Sequence, residues 1–164
     1  MTGRDDLTLE QRAVNDETWR HIHQVQTLLM AAIQRLQERL IQHDQTKLAP
    51  PEVALFAEYT PRLRGCTYGS EEYRSYLQAL RPALEHHYAH NSHHPEHYSD
   101  GIEGMDLLDL LEMLADWTAA TMRHADGDLR RSFDVNRKRF GIGDQLLRVL
   151  ENTAERMGWL PRPE

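Results

Sequence analysis

From Asp16 to Gln42 the chain contains neither glycine nor proline, and its apolar residues Val25, Leu28, Leu29, Ala32, Ile33, Leu36 and Leu40 recur three and four positions apart. An α-helix gathers that spacing onto one face, whereas a strand would send alternate residues to opposite faces. Thr8, with Gln11 three residues on, can form a reciprocal capping box, so the helix is expected to start there. Strand signals are nearly absent from the rest of the chain. The sequence therefore predicts an all-α fold.

The remaining punctuation divides the chain into further helices. Ala49-Pro50-Pro51-Glu52 reads as a stop followed by a new helix, because proline is tolerated in a first turn. That helix is expected to run to about Tyr59, before Pro61. Gly65 to Ser70 reads as loop, with Ser70 capping a helix through Leu80. Pro82 predicts a kink or restart, with helix onward to about His90. Asn91 to Gly104 holds Pro95, Gly101 and Gly104 and reads as an ordered loop. Asp106 to His124 is a strongly apolar helix expected to end at Asp126-Gly127. A last helix runs from about Gln145 to Met157, with Gly158 and Pro161 as stop signals. There is no internal repeat. About six helices predict one compact bundle over residues 1–164, with 1–12 and 159–164 as flexible ends.

Bulk properties narrow the functional classes. The 164 residues are 40% hydrophobic and 27% charged, an ordinary globular balance able to bury a core. One cysteine, Cys66, forms no internal disulfide and fits a reducing cytoplasm. It also excludes a thiolate zinc finger, so any metal must be held by nitrogen and oxygen. Met1 to Gln11 is polar, unlike a targeting peptide, and no apolar run approaches the roughly 18 residues that span a bilayer. A formal net charge of −7 argues against stable nucleic-acid binding. Arg123, Arg130, Arg131, Arg137, Lys138 and Arg139 gather late, but Asp126, Asp128 and Asp134 interrupt them, which reads as a solvated face.

Three features carry chemistry. Of ten histidines, six lie between positions 86 and 97: His86, His87, His90, His93, His94 and His97. On a helix, His86 and His90 share a face and can share an ion, while His93, His94 and His97 come from the following loop with Glu96 among them. Neutral imidazole is a ready metal ligand near pH 7. One ion takes four to six ligands, so some of the six must serve other roles. The second feature is His43-Asp44, with Lys47 three residues after the aspartate, at the end of the long helix. The third is Asp109, Glu112 and Asp116, an acidic stripe on an otherwise apolar helix, where neighbouring carboxylates repel unless a cation or basic groups neutralise them.

The string His43-Asp44-x-x-Lys47, followed far downstream by a helical aspartate, resembles the HD-domain metal-dependent phosphohydrolases. That resemblance implies an HD-domain-like helical fold, with His43 and Asp44 as ligands, Asp116 as the distal carboxylate and Lys47 near a phosphate. The first histidine of that pattern should be His21 or His23. From His21 to His43 is 22 residues, roughly 33 Å along one straight helix, too far for a shared ion. Either the helix breaks near Met30 to Arg35, where no breaker residue stands, or the 86–97 stretch supplies the missing nitrogens; the second is favoured and makes His21 the weaker candidate. More closely, Glu17 to Thr153 resembles a family of short phage and bacterial proteins of unknown function. The matching stretches include Glu17-Thr18 with His21-Ile22, His43-Asp44-x-Thr46-Lys47-Leu48, His86-His87-Tyr88, and Asn91-Ser92-His93-His94-Pro95-Glu96-His97-Tyr98. Further on come Met105-Asp106-Leu107-Leu108-Asp109, Asp116-Trp117 and Asn136-x-x-Arg139-Phe140.

Together these readings predict a metal-dependent phosphohydrolase acting on a nucleotide or another small phosphate ester. His43, Asp44, Asp116 and two or three of the six clustered histidines would hold one or two divalent ions: Mn, Fe, Co, Ni or Zn. Glu96 or Glu112 would act as general base or orient a ligand, Lys47 and Arg123 would bind phosphate, and Tyr68 or Trp117 would stack a base. A second reading is an all-helical nucleoside triphosphate pyrophosphatase holding Mg²⁺ on Asp109, Glu112 and Asp116, which leaves the histidines unused. A third is a non-catalytic phage accessory or partner-binding bundle with a structural metal. The expected setting is the cytoplasm of a bacterium or phage-infected host, and a homodimer is compatible with the sequence.

Overall fold

The computed structural model describes residues 7–67, 70–123 and 127–160. Among these the fold is all-α: α1 (Leu9–Gln42), α2 (Glu52–Gly65), α3 (Glu71–His90), α4 (Leu107–Thr121), α5 (Leu129–Phe140) and α6 (Asp144–Arg156). Short 3₁₀ turns occupy Gln45–Leu48, Pro95–His97 and Gly101–Gly104. No helix among the described residues is long and apolar enough to cross a membrane. The chain divides into two units, Met1–Gln42 and His43–Glu164.

The first unit is α1 itself, 34 residues without a break. Its start is the expected capping box: Gln11 N–H donates to Thr8 Oγ1 at 3.2 Å, and Thr8 N–H donates to Gln11 Oε1 at 2.9 Å. His21 and His23 both lie on this unbroken helix.

In the second unit α2 packs against α3, while α4, α5 and α6 enclose the apolar core. That core is Met113 and Leu114 from α4, Leu129 and Phe133 from α5, Leu150 and Ala154 from α6, and Leu160, with Trp117 and Trp159 packed against it. Ser70 caps α3 as expected, its Oγ accepting from Tyr73 N–H at 3.0 Å.

Three boundaries differ from the sequence reading. α2 continues past Pro61 to Gly65, and α3 runs without a restart through Pro82. Each proline removes one hydrogen bond, from the carbonyl of Ala57 or Gln78 four residues back. Ala57 and Gln78 are exposed, so water satisfies those carbonyls and the helix survives. The third difference is α5, a helix not expected from the sequence, whose basic residues read only as a solvated face. Asp128 caps it, accepting from Arg130 N–H at 2.8 Å, and Gly141 closes it at φ 65°. A left-handed residue one past the helix end is the usual place for glycine. The expected α4 end at His124 to Asp126 lies outside the described residues.

Candidate metal centre

The local backbone at the head of the second unit sets up the site. Asp44 takes the left-handed conformation, φ 57° and ψ 11°, which aspartate tolerates better than most side chains. The chain then enters the Gln45–Leu48 turn, with Lys47 N–H donating to Asp44 O at 2.9 Å. Lys47 Nζ consequently reaches Asp44 Oδ2 at 2.6 Å. The last turn of α3 presents His86 and His87. The segment after it presents His93 and His94, and α4 presents Glu112 and Asp116.

Four donor atoms converge. Asp44 Oδ1 lies 3.2 Å from His87 Nε2 and 3.6 Å from His93 Nε2, and His87 Nε2 lies 2.9 Å from His94 Nε2. Asp44, His87, His93 and His94 could together hold a metal ion, their ligand atoms all lying within 4.8 Å of one another. A tetrahedral ion with arms of 2.0–2.1 Å separates its ligands by about 3.3 Å, close to the spacing found. Asp44 Oδ1 and His93 Nε2 are buried with no hydrogen-bond partner among the described residues. Buried polar atoms rarely go unsatisfied, so the two mark where a further group belongs. Two overlapping sets, His43–His93–Glu112 and His43–Asp44–Asp116, could also hold a cation.

Carboxylates behind the imidazoles decide which nitrogen faces inward. Glu52 is fully buried; its Oε2 accepts from His87 Nδ1 at 3.0 Å and its Oε1 from His86 Nδ1 at 2.7 Å. Glu112 Oε1 plays the same part for His93 Nδ1 at 3.1 Å and His43 Nδ1 at 2.8 Å. With the Nδ1 protons so used, the Nε2 lone pairs of His87 and His93 point at Asp44 Oδ1. This carboxylate–imidazole arrangement is the one that orients metal-binding histidines.

The electrostatics agree. Burial raises the Asp44 carboxyl, but the adjoining His87 imidazole and the Lys47 ammonium outweigh it and hold the group ionised, well below the usual range. Glu52 is likewise pushed up by burial and brought below its ordinary value by hydrogen bonds from His86 and Thr46 and by the neighbouring His87. Burial, with His93 and His87 nearby, lowers His94 to about 3, leaving a neutral ligand at physiological pH. His43 is raised by its bond to Glu112, burial opposing, with Asp44 and Asp116 adding to the rise.

Several expected site residues lie elsewhere. His86 bonds to Glu52 and stacks on His90 at 4.1 Å, and His90 Nδ1 donates to the His86 carbonyl. His97 Nδ1 donates to Tyr88 O at 2.8 Å. None of these three joins the cation-competent groups, nor does His21 or His23. Glu96 Oε1 accepts from Arg139 Nη2 at 2.6 Å, away from the centre. Lys47 neutralises Asp44 rather than standing free for a phosphate. Arg123 is exposed just past α4, and Tyr68 lies outside the described residues. Asp109 is anchored by Ser92 Oγ at 2.7 Å, Tyr98 Oη at 2.6 Å and Asp106 N–H at 3.0 Å, which ties the histidine segment to the start of α4. Glu52 escaped the sequence reading because an acid in a first helical turn is commonplace.

A cleft of about 570 Å³ adjoins the centre and shares His94 and Asp116 with it. Trp117, Phe140, Arg131 and Arg139 are among its walls. Neither a curated protein nor a solved structure gives a significant match to the chain. A model described as a family of unknown function (DUF5662) matches residues 10–156, and the chain belongs to that family.

Proposed function

We propose that this protein is a metal-dependent phosphohydrolase acting on a nucleotide or another small phosphate ester. The observation that carries the reading is the convergence of Asp44 Oδ1 with the Nε2 atoms of His87, His93 and His94, two of the four atoms being buried with no hydrogen-bond partner among the described residues. Three neutral imidazoles and one carboxylate suit Zn, Fe, Co, Ni or Mn better than Mg, which prefers an all-oxygen shell. A bound ion would supply Lewis acidity toward a phosphoryl oxygen and acidify water.

The protein's own residues would do the rest. Lys47 and His87 keep Asp44 ionised, Glu52 and Glu112 fix the imidazoles, and Asp116 stands on the cleft side, its Oδ1 3.9 Å from His43 Nε2. His43-Asp44 with Asp116 is the part of the HD-domain pattern present, and it supports a distant HD-domain-like origin. On this reading histidines from 87 to 94 replace the missing early histidine. The protein would work in the cytoplasm of a bacterium or phage-infected cell, where nucleotide esters are found.

Metal content of the purified chain should be measured first. Nucleotides and simple phosphate esters are then screened for phosphate or pyrophosphate release with Mn²⁺, Co²⁺ and Mg²⁺, alongside Asp44→Ala and His94→Ala. Bound metal, phosphate release and loss of both in the variants are expected. Absence of metal with no change in the variants would sink the proposal. Metal without turnover would make the ion structural.

A further inference from the structure

We infer that the cleft beside the metal centre holds the non-reacting part of the substrate, and that this part is an uncharged group bearing a planar ring. The substrate class is then a nucleoside monophosphate rather than a polyphosphate or a ring-free ester. The inference rests on the phosphohydrolase reading, since the reacting phosphate must sit at the metal centre.

Continuity is the first argument. His94 belongs to the four-donor group and Asp116 to an overlapping one, and both line the cleft, so a molecule bound at the centre extends directly into it. A volume near 570 Å³ lies within the range of roughly 300–1,000 Å³ usual for small-molecule sites.

The walls then choose among substrates. Trp117 and Phe140 lie 6° from parallel with centroids 6.2 Å apart, and the Arg139 guanidinium lies 4.7 Å from the Phe140 centroid, so this wall is built of planar groups against which a flat ring can pack. Asn136 and Ser132, also on the wall, offer neutral polar groups to a ring edge or a sugar hydroxyl. Charge disfavours a polyphosphate. Among the described lining residues, Arg131 and Arg139 face three carboxylates, Glu96, Asp116 and Asp128, and Arg139 is already engaged by Glu96. A chain of phosphates would be repelled by the one carboxylate that the arginines do not balance, whereas an uncharged nucleoside is not. A ring-free ester would leave the aromatic walls unused.

The test uses the full chain loaded with Mn²⁺ and follows tryptophan fluorescence in stopped flow, before turnover. Adenosine 5′-monophosphate is the ligand; ATP and glycerol 3-phosphate, each with Mn²⁺ in excess, are competitors. Adenosine monophosphate should bind about ten-fold more tightly than glycerol 3-phosphate, the worth of one stacked base, and more tightly than ATP, which carries the same base but two further phosphates. Val135→Trp fills the cleft from an exposed position on its wall, outside the core and the metal groups. It should abolish that preference and leave metal content unchanged. Tightest binding by ATP, or equal binding by glycerol phosphate, would overturn the inference. So would a preference that survives Val135→Trp. A chain that holds no metal yet keeps the cleft-dependent preference would overturn the metal reading, and with it the substrate role, leaving the cleft as a nucleoside monophosphate binding site only.

Discussion

The fully buried carboxylate of Glu52 accepts a hydrogen bond from His87 Nδ1 at 3.0 Å, the one anionic partner beside Thr46 Oγ1 and Asn91 Nδ2 at 3.1 Å each, and this contact turns the Nε2 lone pair of His87 toward Asp44. Glu52→Gln keeps the volume but can no longer accept equally from both imidazoles. Loss of such an orienting partner typically costs 10–100-fold in metal affinity. Competition with a chromophoric chelator should show that loss. Glu52→Ala should in addition destabilise the fold by about 2 kcal/mol, because the His87 N–H is left buried. Unchanged metal affinity in Glu52→Gln would show that His87 holds its tautomer without Glu52.

A metal that binds only the folded chain must also stabilise it. At a hundred-fold excess over Kd the gain is about 2.7 kcal/mol, which for a domain of this size raises Tm by on the order of 5–10 °C. Thermal unfolding with Mn²⁺ or Zn²⁺, against a chelator-treated control, reads this directly. Asp44→Asn removes the anionic donor, and His93→Ala removes a nitrogen whose Nε2 has no other partner among the described residues. Both variants should lose the metal-dependent rise. A rise that survives in both would place the ion elsewhere.

Much of this architecture is legible in the sequence because it is written locally. The Thr8–Gln11 box, the Ser70 cap and the apolar period of α4 each depend on residues within a few positions, and each appears as expected. Pro61 and Pro82 misled the reading because the cost of a proline depends on whether the freed carbonyl reaches water, which is a property of the fold. The site divides in the same way. Composition marks the 86–97 stretch as rich in ligands, yet only long-range packing selects His87, His93 and His94 from it. It also selects Glu52, thirty-five residues from His87 in sequence, as the support of that histidine. Nothing in the spacing of a lone glutamate predicts a partner so distant in sequence.

Within α4, side-chain burial rather than residue type sets the cost of substitution. Leu114 is 0% exposed in the apolar core, whereas Leu107 is 79% exposed in the first turn of the same helix. Leu114→Ala should lose about 2–5 kcal/mol, while Leu107→Ala should stay within about 0.5 kcal/mol of the parent. Urea midpoints of the two variants measure the contrast. Similar losses in both would mean that Leu107 is covered in solution.

The bond from Tyr98 Oη to Asp109 Oδ2, 2.6 Å long, gives the fold a signature at high pH. Burial and the Asp109 carboxylate push the Tyr98 phenol up to about 12. In the unfolded chain it titrates near about 10. The folded state therefore keeps a proton that the unfolded state loses between about pH 10 and 12. The stability from this group is fully present below about pH 10 and is lost as pH rises through about 12. Tyr98→Phe has no such proton, and it forfeits a hydrogen bond to a charged acceptor at every pH where the phenol stays neutral. Near pH 8 it should be less stable than the parent by about 2 kcal/mol. That gap should close as pH climbs from about 10 toward 12. Tyr76 and Tyr88, also raised, titrate in both proteins and cancel from the difference. Urea unfolding of the pair at several alkaline pH values checks the prediction. A gap that holds constant to about pH 12 would mean that Tyr98 does not share its proton with Asp109.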